Sequence, residues 1–158
     1  MRTVVIGSGS WGTALAQVLQ DNHQEVLVYG VAEAEVNDIN ENHKNSKYFG
    51  DVELNPELKA TTDIQCVKGA DIVLLAVPTI AIDPICHQIN DILDKKTIII
   101  NVSKGFHPET NERMSEVIRR CIDEDKLSSV VSLIGPSHAE EVVIRLLTTI
   151  DAISLNNE

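Results

Sequence analysis

The chain has 158 residues, 43% of them hydrophobic and only 3% aromatic, so one compact domain with an aliphatic core is expected. Its formal net charge of −11 argues against a nucleic-acid backbone or an anionic membrane surface as partner. No stretch approaches the ~20 apolar residues that span a bilayer. MRTVVIG has no long apolar segment after Arg2, so it does not read as a secretory signal. Cys66, Cys86 and Cys121 are odd in number and widely spaced, which fits free thiols in a reducing cytoplasm and no metal site.

Apolar, β-rich runs alternate with helical patterns. Strands are predicted at 3–7, 25–30, 58–61, 71–77, 97–102 and 130–135, with a further one at 148–154. Helices are predicted at 11–22, 32–43, 62–68, 79–93, 109–123 and 137–144, and a polar loop at 44–57. Continuous apolar strands are buried on both faces. The strand–helix alternation therefore predicts an α/β fold with a doubly wound, mostly parallel sheet and helices on both faces.

Residues 4–19, VVIGSGSWGTALAQVL, carry Gly7, Gly9 and Gly12 in the pattern G-x-G-x-x-G. A strand precedes them, a helix follows, and a second strand comes next, which is the context of a dinucleotide-binding loop in a Rossmann-like fold. Gly7 permits the tight turn, Gly9 lets backbone approach a diphosphate, and Gly12 lets the helix pack on the strand. The helix start offers unpaired N–H donors and partial positive charge. Trp11 reads either as a core aromatic or as a lid on the ligand. The tip of the second strand, Tyr29-Gly30-Val31-Ala32-Glu33, is neither acidic nor basic, so it does not choose between NAD and NADP. Glu33 is assigned to the first turn of the next helix, and Lys44 and Lys47 either reach a 2′-phosphate or are solvated.

Three later turns close strands. In Ala76-Val77-Pro78-Thr79, Pro78 ends pairing and opens a helix, and Thr79 either caps it or faces ligand. Asn101-Val102-Ser103-Lys104-Gly105 puts a lysine at a strand's carboxyl end, where such sheets bind ligands; its ammonium suits a phosphate or a developing alkoxide. Gly135-Pro136-Ser137-His138-Ala139-Glu140 fits a capping box of Ser137 with Glu140.

In order and spacing, GSGSWGTALA, ADIVLLAVPT, NVSKG and IGPSHAEEV resemble the bacterial-type NAD(P)-dependent glycerol-3-phosphate dehydrogenases, across essentially the whole chain. The resemblance implies a cytoplasmic oxidoreductase of phospholipid biosynthesis that reduces dihydroxyacetone phosphate to sn-glycerol 3-phosphate. It implies that Ser10, Trp11, Val31, Tyr48 and Ala139 contact the cofactor, NAD or NADP, with Gly7, Gly9, Gly12 and Pro78 beside them. Lys104 would touch cofactor and substrate, and Gly135 and Ser137 would hold substrate. Homodimerisation is left open. The chain departs from the family at Val31, where a basic residue is common, and at Phe49-Gly50-Asp51, where Leu-Pro-Gly is usual. The family continues into a helical domain that carries its proton-donor lysine. Residues 1–158 thus read as the dinucleotide-binding half, with little turnover expected alone. A non-catalytic dinucleotide-binding module, or a dehydrogenase of another small phosphorylated or carboxylated substrate, are the alternatives.

Overall fold

The computed structural model describes residues 1–155. Strands β1 (Arg2–Ile6), β2 (Glu25–Tyr29), β3 (Lys59–Thr61), β4 (Ile72–Leu75), β5 (Thr97–Asn101) and β6 (Leu127–Ile134) are parallel. An antiparallel β7 (Asp151–Ser154) pairs with β6 at one edge. The strand order is β3-β2-β1-β4-β5-β6-β7, so successive connections diverge between β1 and β4. In an open α/β sheet that divergence leaves a crevice at the strands' carboxyl ends.

Alternation along the strands sorts the core into two layers. Val4, Ile6, Val73, Leu75 and Ile99 face α4 (Thr79–Asn90) and α5 (Met114–Cys121), where Ile82, Ile89, Val117 and Ile118 are buried with them. Val5, Val28 and Leu74 face the other way, onto α1 (Ser10–Asp21), α2 (Glu33–Asn37) and α6 (Ala139–Val143). Each such aliphatic side chain contributes roughly 1.5–3 kcal/mol by leaving water. The continuous apolar runs therefore have one physical cause, cover on both faces.

At their amino ends the strands are linked by charge. The Arg2 backbone N–H donates to Asp71 Oδ2 at 2.7 Å, and Arg2 Nε lies 3.5 Å from Glu25 Oε1. Lys95 pairs with Asp71 at 2.5 Å, and Lys126 donates to the Asn90 carbonyl at 2.7 Å.

Several predicted helices are shorter than their pattern. The helix expected at 109–123 begins only at Met114, because His107 Nδ1 accepts the N–H groups of Glu109 and Thr110 and Asn111 adopts a left-handed φ of 58°. Residues 62–68 form a single 3₁₀ turn, Ile64–Val67, capped by Asp63. The helix expected at 32–43 ends at Asn37 and widens into a π turn, Asp38–Asn42. There Asn40 exchanges two 2.9 Å hydrogen bonds with the backbone of Ala60, satisfying part of the edge of β3. The loop at 44–57 contains a short helix, α3 (Ser46–Phe49). At the starts of α4 and α6, Pro78 and His138 occupy the N-cap, and neither cap makes a side-chain hydrogen bond. The capping box of Ser137 with Glu140 is therefore not formed, since the turn after β6 runs one residue further before α6 begins. Nor does Pro78 enter the helix; it stands just before it, with Thr79 as the first helical residue.

Candidate functional site

The glycine loop runs from the end of β1 into α1. Gly7 has φ +117°, and a β-carbon there would collide with the Ala76 carbonyl oxygen of the neighbouring β4 turn. A β-carbon on Gly12 would collide with the Gly7 carbonyl oxygen, so only glycine lets α1 lie this close to β1. At Gly9 a β-carbon would meet nothing nearer than Tyr48 Oη at 4.0 Å. The chain has left space over this glycine and filled it over the other two. Beside it, the N–H groups of Ser10, Trp11 and Gly12 precede the first intrahelical bond, from the Thr13 N–H to the Gly9 carbonyl at 3.0 Å, and have no acceptor within the helix.

That space opens into a cleft of about 420 Å³ whose walls include Gly7, Ser8, Gly9, Val31, Glu35, Lys47, Tyr48, Ala76 and Pro78. Of the residues expected on the cofactor side, Gly7, Gly9, Val31, Tyr48 and Pro78 line it. Val31 is 85% exposed at the lip. Lys47 Nζ stands 5.1 Å from the Tyr48 ring centroid and 2.6 Å from Glu35 Oε1. The bonds from Glu35 and Tyr48 raise the Lys47 pKa above its ordinary value, which keeps the ammonium charged. Lys44 is paired instead with Asp51 at 3.0 Å.

A second, smaller hollow of about 10 Å³ lies across the glycine loop. It brings together Trp11, Lys104, Gly135 and Ser137, which are far apart in sequence, with Leu15, Val102 and Ile150 beneath them. Among the described residues Lys104 is the only ionisable one that lines it. Among the described residues Lys104 makes no ion pair, and it is exposed. The turn that carries it is fixed: Asn101 Oδ1 accepts the Ser103 N–H at 3.2 Å, and Ser103 Oγ donates to the Val77 carbonyl at 2.5 Å. Ser137 is buried at this hollow rather than capping α6. Ala139 is not on either wall; it is buried at the start of α6, in the core cluster against which Trp11 packs.

Two residues of the site lie outside the motifs. Asn45, only 1% exposed, donates from Nδ2 to the Ser8 carbonyl at 2.7 Å and to Thr13 Oγ1 at 2.8 Å, tying the α3 segment to the glycine loop. Glu35 reaches back from α2 to accept a 2.5 Å hydrogen bond from Ser8 Oγ. An asparagine in a polar loop and a glutamate on a short helix look like solvated residues, and only the folded chain shows them turned inward.

Away from the cleft, Asp83, His87 and Cys121 bring potential ligand atoms within 4.8 Å of one another. Arg120 donates to Asp83 Oδ2 at 2.9 Å and lies 3.8 Å from Cys121 Sγ, so a guanidinium already stands where a metal cation would. Cys86 and Cys121 are buried free thiols, and Cys66 is a half-buried one.

Fold and cleft together define a Rossmann-type α/β domain with an open glycine loop at the switch point of the sheet. The family model described as NAD-dependent glycerol-3-phosphate dehydrogenase N-terminus matches residues 2–158, and the chain belongs to that family. It is 48% identical over 152 residues to glycerol-3-phosphate dehydrogenase (NAD(P)+) of Listeria monocytogenes, covering 96% of this chain and 45% of that protein. With the enzyme of the same name from Macrococcus caseolyticus it shares 46% identity over 155 residues, covering 98% and 47%. The crystal structure of glycerol-3-phosphate dehydrogenase from Coxiella burnetii superposes with a TM-score of 0.88 at 28% identity, covering 98% of this chain and 47% of that one. The chain thus spans about half the length of the curated relatives it matches.

Proposed function

We propose that this chain binds the nicotinamide dinucleotide of a glycerol-3-phosphate dehydrogenase and forms one wall of the site for dihydroxyacetone phosphate. The observation that carries the reading is the unfilled space over Gly9, beside the free N–H groups at the start of α1. A side chain would block that approach. The loop supports a diphosphate, with Gly7 and Gly12 setting its shape, Ser10 and Trp11 on its outgoing turn, and Val31, Tyr48 and Pro78 walling the cleft.

The cofactor, when bound, supplies a hydride to the substrate's ketone carbon. Negative charge then develops on the ketone oxygen, and Lys104 is the cation this chain offers to stabilise it. Because its turn is fixed by Asn101 and Ser103, the ammonium has less freedom to lose on engaging that charge. Gly135 and Ser137, which line the same hollow, supply backbone and hydroxyl donors to the phosphorylated substrate. Gly12 and Ala139 act from behind, by packing. Among the described residues no second ionisable side chain lines this hollow beside Lys104 to donate a proton. The 158-residue chain is therefore expected to bind cofactor and turn over slowly. We place this chemistry in the cytoplasm, in keeping with its three free thiols. Among the described residues no helix is long and apolar enough to cross a membrane.

Trp11 is the only tryptophan, so a fluorescence titration with NADH reads the loop directly. Saturable quenching is expected; absence of quenching together with absence of thermal stabilisation refutes the reading. With dihydroxyacetone phosphate and NADH, turnover at ordinary enzymatic rates, roughly 1–1000 per second, would overturn the expectation for the 158-residue chain.

A further inference from the structure

We propose that Glu35 makes the cleft selective for a dinucleotide with a free 2′-hydroxyl on its adenosine ribose over one with a 2′-phosphate there. The inference rests on the cofactor reading given above and concerns the other end of the same cleft.

In this fold the adenosine ribose lies at the carboxyl end of β2, where an acidic residue accepts from the 2′-hydroxyl or a cation receives the 2′-phosphate. The strand tip here supplies neither, because Gly30 and Val31 have no polar side chain. The group is supplied from α2 instead. Glu35 is 9% exposed and lines the cleft with Gly9, Val31 and Ala32. Its Oε2 accepts from Ser8 Oγ at 2.5 Å and its Oε1 from Lys47 Nζ at 2.6 Å. Gly30 makes the arrangement possible, since a β-carbon there would collide with Ser8 Oγ. The carboxylate is thus fixed between the glycine loop and the lip of β2, from two sides, before any ligand arrives.

The charges around it decide which ribose fits. Among the described residues Glu35 and Lys47 are the only acidic and basic side chains lining this cleft, and they neutralise each other. Lys44, the next cation along the chain, is held by Asp51. A 2′-phosphate brings close to two negative charges. It would either lie against the Glu35 carboxylate or draw Lys47 away, leaving that carboxylate buried on the Ser8 hydroxyl alone. Both outcomes are costly. A hydroxyl has a proton to donate to the same carboxylate and disturbs neither partner.

The test is Trp11 fluorescence quenching by NADH and NADPH, side by side, at low ionic strength, on the 158-residue chain. NADH is expected to bind tighter by about tenfold or more, the scale of one unscreened like-charge contact at a protein surface. Glu35→Gln keeps an acceptor for Ser8, removes the negative charge and frees Lys47. It should strengthen NADPH binding by about tenfold and weaken NADH binding, which loses a charged acceptor for its 2′-hydroxyl, so the ratio collapses. Lys47→Met, on an exposed side chain, should widen the ratio instead, which keeps the test informative if Glu35→Gln does not fold. Equal binding of the two cofactors by the unmodified chain, or parallel changes in both for either variant, overturns the role of Glu35 and leaves cofactor binding standing. Failure to bind either cofactor overturns the underlying reading and this inference with it.

Discussion

Alanine at Gly9 and alanine at Gly12 should have opposite consequences, although the two glycines are three residues apart in one loop. At Gly12 the added methyl would run into the Gly7 carbonyl oxygen, so α1 has to move off β1. Overpacking of this kind costs about 1–3 kcal/mol. For a chain of this size that lowers the melting temperature by roughly 2–4 °C per kcal/mol, or about 4–8 °C for a mid-range cost. At Gly9 the nearest atom is 4.0 Å away and φ is −71°, a value alanine adopts freely. The reduced freedom of the unfolded chain stabilises by about 0.4–1 kcal/mol, against the slightly poorer N-cap that alanine makes. The net change should stay within about 0.5 kcal/mol, while the methyl stands where a diphosphate would approach. Binding of NADH should weaken by about tenfold or more, equivalent to about 1.4 kcal/mol. Thermal denaturation followed by circular dichroism gives the first quantity, and Trp11 quenching the second. A Gly9→Ala chain that binds NADH as tightly as the unmodified one refutes the argument. So does a Gly12→Ala chain that melts at the original temperature.

The remaining expectations use other parts of the frame. Asn45→Ala removes two buried hydrogen bonds to the glycine loop and should cost about 2 kcal/mol, with weaker NADH binding; an unchanged urea midpoint would sink it. Lys95 bonded to Asp71 holds that carboxyl below its ordinary range, as Arg120 does for Asp83 and the Ser46 backbone N–H for Asp38. A depressed folded pKa means the unfolded chain binds more protons near and below its own value of about 4, so this stability is complete above that value and is lost as pH falls through the folded one. Acid titration of the melting temperature should therefore show a steep loss below about pH 4–5 that is shallower in Asp71→Asn; identical slopes would count against the pairing. Burial pushes the Cys86 thiol up to about 12, so at pH 8 a disulfide reagent should label it only as the chain unfolds. Labelling at the rate of a free peptide thiol would contradict the burial.

The parts of the fold legible in the sequence are those with a single physical cause. Runs such as IVLL and TIII cannot be half-solvated, and the glycine spacing has no cheaper explanation than a turn pressed against two neighbours. Trp11, Lys104, Gly135 and Ser137 were each visible as turn residues at strand ends, and the sheet brings them to one hollow. What escaped depends on local competition. His107 captures the N–H groups that a helix from Glu109 would have used, and Ser137 faces the hollow in place of its capping position. Glu35 escaped for a different reason. The rule looks for an acid on the strand tip, and here a short helix supplies it through Ser8, a connection between residues 27 apart that no local pattern carries.

The ties among Arg2, Glu25, Asp71, Lys95 and Lys126 all sit where strands enter the sheet, at the rim farthest from the glycine turns. Coulomb attraction between half-exposed groups fades in concentrated electrolyte, whereas the steric fit of Gly7 and Gly12 does not. Brine should consequently slacken the far rim and leave the ligand-facing turns in shape. Firmness under salt and grip on a nucleotide are thereby lodged in different ends of one sheet, and either can be engineered without touching the other.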